Sequence, residues 1–200
     1  MSVKFPIILG LTGSIGMGKT TTAKIFADNG IPVWDADTAV HYLYKHDART
    51  LKAFNSIIPQ VVKENQVNRN ELKKFILAQE GNLKKIEAII HPLVAKDRES
   101  FLLKHQEKKT RLVVLDIPLL FETKNENLVD YIVVVTVDPK IQRKRVLERK
   151  TMSEKMFDNI LANQLSDKEK QNRADFIIST KTKKVACKSV LEIISNFSDG

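Results

Sequence analysis

Gly13-Ser14-Ile15-Gly16-Met17-Gly18-Lys19-Thr20 satisfies G-x-x-x-x-G-K-[ST] at every fixed position. Each residue type in that pattern has a physical reason. Glycines let backbone N–H groups curl around phosphate oxygens, where side chains would block the approach. A helix starting near Gly18 adds the positive end of its dipole. Lys19 is expected to reach the β- and γ-phosphates of a nucleotide, and Thr20 to ligate Mg²⁺ through its hydroxyl; Thr21 adds a hydroxyl on the α-phosphate side. A chance match in a chain of this length is on the order of one per cent, and the flanking sequence agrees with the motif. Ile7-Ile8-Leu9-Gly10-Leu11 is a continuous apolar run, as a buried parallel strand requires. After the loop, Thr20 to Asn29 reads as a helix with Ala23, Phe26 and Ala27 inward and Gly30 as its stop.

Beyond this unit the chain repeats the alternation of strand and helix unevenly. Ile31 to Trp34, Leu112 to Ile117, Tyr131 to Val137 and Ala174 to Ser179 read as four more strands. Strands apolar on both faces and separated by helical segments predict an α/β fold: a three-layer α/β/α arrangement around a five-stranded parallel sheet. Between the second and third strands lie residues 38–110, with helical spacing at Leu72, Phe75, Ile76, Ile86, Ile89 and Ile90 and a helix start at Asn68 with Glu71. His91-Pro92 is expected to end one helical run, because proline restricts the residue before it. A second helical insertion follows the fourth strand, with capping boxes expected at Thr151 with Glu154 and Ser166 with Glu169. The tail from Lys184 to Phe197 is amphipathic, with Ala186, Val190, Ile193, Ile194 and Phe197 on one face.

A phosphate loop names a ligand and not a reaction. The acids that follow the strands are more informative. Asp35 and Asp37 stand at the C-terminal end of the second strand, where ligands of an open parallel sheet bind. Positions two apart on a strand point the same way, so both enter one site if the extended geometry persists. A carboxylate there can accept the proton of an attacking hydroxyl; the plain alternative is Asp37 as the cap of a helix from Thr38. Asp116 ends the third strand, as a metal-side carboxylate of this loop type does. Arg145 and Arg149, four apart, share a helix face and are candidates for contacting phosphate; Arg143 falls on another side.

Composition bounds the rest. The apolar share of 42% and charged share of 28% are ordinary for a globular domain. No apolar run is long enough to span a bilayer, and Met1 to Pro6 leads straight into a strand, so the start reads as mature protein. The one cysteine, Cys187, excludes an intrachain disulfide and fits the cytoplasm. His41, His46, His91 and His105 lack metal-ligand spacing. A net charge of +9 is compatible with nucleic acid or a polyanionic small substrate, but no nucleic-acid motif accompanies it.

The order of these pieces resembles the dephospho-coenzyme A kinase family. The match runs through the phosphate loop, Asp35 to Asp37, Leu83 to Val94 with its Ile-Ile-His-Pro-Leu-Val, and Asp116-Ile117-Pro118-Leu119-Leu120-Phe121-Glu122. It continues with Asp138, Gln142, Arg145, Gln164 and Arg173-Ala174-Asp175. Asn68 stands where the family often has Asp, Asn159 where an Arg is common, and Ser179-Thr180-Lys181 where Asp-Asn-Ser/Gly is more usual. The resemblance implies transfer of the ATP γ-phosphoryl to the ribose 3′-hydroxyl of dephospho-coenzyme A. It implies residues 38–110 as a helical substrate-binding subdomain and 145–172 as a lid. Asp37 is then the expected base, Lys19, Arg145 and Arg149 the phosphate-side catalytic groups, and Asp35, His91, Asp116, Leu119 and Glu122 the acceptor side. Thr20 and Asp116 are the expected Mg²⁺ ligands. Neither nucleic acid, membrane nor an obligate protein partner is implied. A kinase of another small nucleotide or alcohol, and a nucleic-acid-stimulated ATPase, are the competing readings.

Overall fold

The computed structural model describes residues 5–149 and 152–197. Strand β1 (Ile7–Thr12) leads through the loop to helix α1 (Lys19–Asp28), and β2 (Val33–Asp35) follows. Then come α2 (Ala36–His46), α3 (Ala48–Ile57), the short strands β3 (Val62–Lys63) and β4 (Gln66–Val67), α4 (Arg69–Ala78) and α5 (Asn82–Glu107). The chain continues with β5 (Leu112–Asp116), β6 (Tyr131–Thr136), α6 (Pro139–Glu148), α7 (Glu154–Ala162), α8 (Asp167–Asn172), β7 (Phe176–Ser179) and α9 (Lys183–Asn196). It divides into two compact units, Met1–Trp34 with His105–Gly200, and Asp35–Lys104.

The first unit is built on a sheet of order β2-β5-β1-β6-β7, with β1 parallel to both β5 and β6 and β6 parallel to β7. Leu9, Leu11, Val114, Val133, Val135 and Ile178 line one face and pack against Phe26 of α1 and Val190 of α9. The residues between them, such as Val113, Leu115 and Val134, are equally buried, so the sheet is covered on both faces. That is why these strands read as apolar runs and not as alternating patterns.

The unit Asp35–Lys104 has its own core, in which Leu43, Phe54, Ile58, Val61, Leu72 and Ile90 meet. Burying each such side chain stabilises by roughly 1.5–3 kcal/mol. Asn68 caps α4 as expected, its Oδ1 accepting the N–H groups of Asn70 and Glu71. The sequence reading did not anticipate the hairpin β3–β4. Glu64 and Asn65 at its tip take φ of 49° and 58°, and Glu-Asn is a weak turn signal beside Asn-Gly. Pro92 does not end a helix. It lies inside α5, which continues to Glu107. Proline removes one backbone hydrogen bond, while Ile89, Ile90, Leu93 and Val94 pack on both sides of it. Among the described residues no helix is long and apolar enough to cross a membrane.

Candidate active site

After Thr12 the chain turns tightly, and α1 starts at Lys19 with Gly18 as its N-cap at φ 93°. Gly16 takes φ 78°. A Cβ at Gly16 would run into Val146 of α6, and one at Gly18 would meet Thr180 Oγ1 at 2.9 Å. Both glycines are therefore required by backbone conformation and by packing. Three distant side chains hold the loop. Gln142, buried in α6, donates from Nε2 to the Ile15 carbonyl at 2.7 Å. Gln164 Oε1 accepts the Ile15 N–H at 3.3 Å. Thr180, at the end of β7, donates to the Met17 carbonyl at 2.6 Å. Sequence reasoning placed Gln142 and Gln164 only as family positions, and it placed Thr180 only as a departure.

Lys19 and Asp116 come together because β1 and β5 are register partners, with Leu11 opposite Asp116. Lys19 Nζ lies 2.6 Å from Asp116 Oδ1, with the carboxylate only 1% exposed. Thr20 and Thr21 follow on the exposed side of α1. A cavity of about 330 Å³ beside the loop is lined by Gly16, Gly18, Thr21, Arg145, Arg149 and Lys183, among others. The Arg145 guanidinium donates to the Thr180 carbonyl at 2.7 Å and to Thr180 Oγ1 at 3.2 Å. Arg143 turns away, pairing with Glu154 and Asp158 and lying over the Phe157 ring. Ser153 caps α7; Thr151 of the expected capping box lies outside the described residues, whereas the Ser166–Glu169 box is present.

In the segment after β5, Leu119 is exposed, while its carbonyl accepts from Thr123 N–H at 3.0 Å. Glu122 faces the helices that follow β6. Its Oε1 accepts the Leu165 N–H at 2.9 Å and lies 2.8 Å from Nζ of fully buried Lys170. Burial alone would raise its pKa; Lys170 and the backbone N–H groups of Glu122 and Leu165 together outweigh this and hold the carboxyl below its ordinary value. Lys170 carried no signal in the sequence beyond a lysine on a charged helix.

In the other unit, Asp35 is the N-cap of α2, accepting the Thr38 N–H at 2.5 Å. The extended geometry ends there. Asp37 belongs to the first turn of the helix, so the expectation of two carboxylates alternating along a strand fails, and so does the alternative of Asp37 as the cap. Asp37 is exposed and lines a cavity of about 290 Å³ with Val40, His41, Tyr44 and Arg69. His91 is exposed on α5, and neither this cavity nor the one beside the phosphate loop includes it.

Comparison with known proteins matches residues 7–185 to the family model described as CoaE, dephospho-CoA kinase. The chain is 47% identical over 188 residues to the dephospho-CoA kinase of Rhizobium etli, covering 94% of this chain and 92% of that one. Among solved structures it is similar to TT1252 from Thermus thermophilus, with a TM-score of 0.84 and 26% identity over 98% of this chain and all of that one. The dephospho-CoA kinase from Campylobacter jejuni gives 0.67 and 25% over the same shares. With a phosphate loop on a parallel sheet and the family matched nearly end to end, this chain belongs to the dephospho-CoA kinase family, the ATP-dependent kinases that phosphorylate dephospho-CoA in coenzyme A biosynthesis.

Proposed function

We propose that this kinase transfers the γ-phosphoryl of ATP to the ribose 3′-hydroxyl of dephospho-CoA with Asp37 as the base. The observation that carries the assignment is the cap of α2. Because Asp35 takes the Thr38 N–H, Asp37 is left exposed, with no hydrogen bond or ion pair among the described residues. A ribose hydroxyl is a poor nucleophile at neutral pH, and a carboxylate beside it orients it and accepts its proton. Asp35 then acts by placing Asp37.

The loop amides from Gly13 to Thr20 cradle the triphosphate, helped by Thr21, and Lys19 supplies a point charge to the β- and γ-phosphates. Asp116 holds that lysine in place, as their 2.6 Å contact supports. Arg145 and Arg149, on the cavity beside the loop, neutralise charge on the transferring group. Mg²⁺ fits the donors present. Thr20 offers a hydroxyl and Asp116 a buried carboxylate; no cluster of three or more His, Cys, Asp or Glu suited to a metal occurs among the described residues, and an ion that keeps its waters and leans on phosphate needs none. When bound, Mg²⁺ would offset charge on the β- and γ-oxygens. Residues 38–110 serve as the substrate-binding part, with His91, Leu119 and Glu122 on the acceptor side, and 145–172 as the lid. The reaction runs in the cytoplasm, where ATP is the donor, and needs no nucleic acid, membrane or obligate protein partner.

The test is Asp37→Asn beside Asp35→Asn. General-base loss lowers kcat by about 10²- to 10⁴-fold for Asp37→Asn with MgATP affinity unchanged. Weakened MgATP binding would move Asp37 to the metal side, and an unchanged kcat would remove it from the chemistry. Asp35→Asn keeps the cap and is expected to keep most of the activity.

A further inference from the structure

We propose that the unit Asp35–Lys104 holds an anchoring site for the diphosphate of dephospho-CoA, built from Arg69, His41 and Tyr44 in the cavity that also contains Asp37. The inference rests on Asp37 as the base of the proposed reaction. Its starting point is a cation without an anion. Three other cations of this unit are paired: Arg49 with Asp47, and Lys63 and Lys74 with Glu71. Arg69 has no carboxylate partner among the described residues, and lines two cavities of about 290 and 230 Å³. It is the first residue of α4, where Asn68 has already taken the amides of Asn70 and Glu71, so its side chain has no capping duty.

Two neighbours prepare the guanidinium for a ligand. Arg69 Nη1 lies 3.2 Å from His41 Nε2. A guanidinium only donates, so the imidazole accepts and carries its proton on Nδ1. That contact fixes the fork while leaving its other N–H groups open. Tyr44 is more than nine-tenths buried, its ring edge-on to Phe54 at 5.6 Å, and it lines both cavities. Its hydroxyl has no hydrogen-bond partner among the described residues and is not sealed from solvent, so it is free to donate to a ligand in these cavities. Burial pushes the phenol pKa up against the opposing charge of Arg69, which keeps it a neutral donor.

The chemistry of the acceptor supplies the rest. Its reacting 3′-hydroxyl and its diphosphate are attached to the same ribose, so base and anion clamp must share one cavity. Asp37 and Arg69 do. A carboxylate alone would repel a diphosphate; a planar guanidinium offers two parallel N–H donors to phosphate oxygens, and Lys45 adds a second positive charge in the adjoining cavity.

The experiment is calorimetric titration of the full chain with dephospho-CoA, with adenosine as a ligand lacking the diphosphate, and with MgATP. Arg69→Ala is expected to weaken dephospho-CoA by about ten- to a hundredfold, while adenosine and MgATP affinities stay within about twofold. Arg69→Lys recovers part of the loss, which also serves if Arg69→Ala does not fold, and Tyr44→Phe loses a few-fold. Dephospho-CoA affinity within twofold of wild type in Arg69→Ala, or an equal loss for adenosine, overturns the site. Asp37→Asn in the same series keeps the two ideas separable: unchanged kcat there sinks the base assignment, whereas an inactive Asp37→Asn with an indifferent Arg69→Ala sinks the anchoring site alone.

Discussion

Around the phosphate loop the polar groups are already engaged by protein. Ile15 is held at both its carbonyl and its N–H by Gln142 and Gln164, Met17 by Thr180, Lys19 by Asp116, and Arg145 by Thr180. Along α2 and the start of α4 the pattern is the reverse: Asp37 and the Tyr44 hydroxyl have no hydrogen-bond partner among the described residues, and the Arg69 side chain bonds only the His41 imidazole among them. The contrast separates two ways of building a site. One region is organised in advance by its own contacts, so little rearrangement is needed when phosphate arrives. The other leaves donors and a carboxylate open, which in the proposed reaction the acceptor would complete.

That contrast can be broken by experiment, most forcefully at Lys19. Lys19→Ala is expected to abolish productive ATP use in a coupled ADP-release assay, since the lysine is the loop's point charge on the β- and γ-phosphates; near-normal turnover would take the loop out of the mechanism. Lys170→Met comes next and reads stability. Removing one partner of a buried pair typically costs about 3–5 kcal/mol, measurable by denaturant unfolding. The sign with pH follows from Glu122, whose folded pKa lies below its ordinary 4.5. Its pairing therefore stabilises above that value and is lost as pH falls through the lower folded one. In Lys170→Met the carboxyl loses its counter-ion and its folded pKa rises, so Glu122's share of the acid loss of stability should shrink or reverse, and the stability gap to the wild type should narrow as pH falls below 4.5. A variant that follows the wild-type acid limb would show the pair contributes nothing. Smallest is Asn68→Ala, which removes the cap of α4 for about 1 kcal/mol and should leave MgATP affinity untouched. Asn68→Asp should be neutral, because both residues cap equally well.

The strands and the phosphate loop were legible because their signals are local: apolar runs of strand length and a spacing of Gly, Lys and Thr. Asn68 and Ser166 were legible as caps for the same reason, since a cap bonds within three residues of itself. Asp35 was misjudged against Asp37 because either can cap a helix starting nearby, and only the backbone at Ala36 settles where the helix begins. Pro92 misled because a local steric preference was outweighed by packing on both sides of it. Glu122 and Lys170 pair across a long stretch of chain, and no composition or period marks such a meeting.

The sequence by itself determined the parallel α/β core, the nucleotide loop and the family, because each is written in residues adjacent along the chain. Tertiary structure alone decided which side chains brace that loop, which Asp is spent on a cap, and which arginine is left with an open cavity in front of it. Those outcomes depend on groups far apart in the chain, such as Met17 and Thr180, and a hydrogen bond acts only through the distance that folding sets.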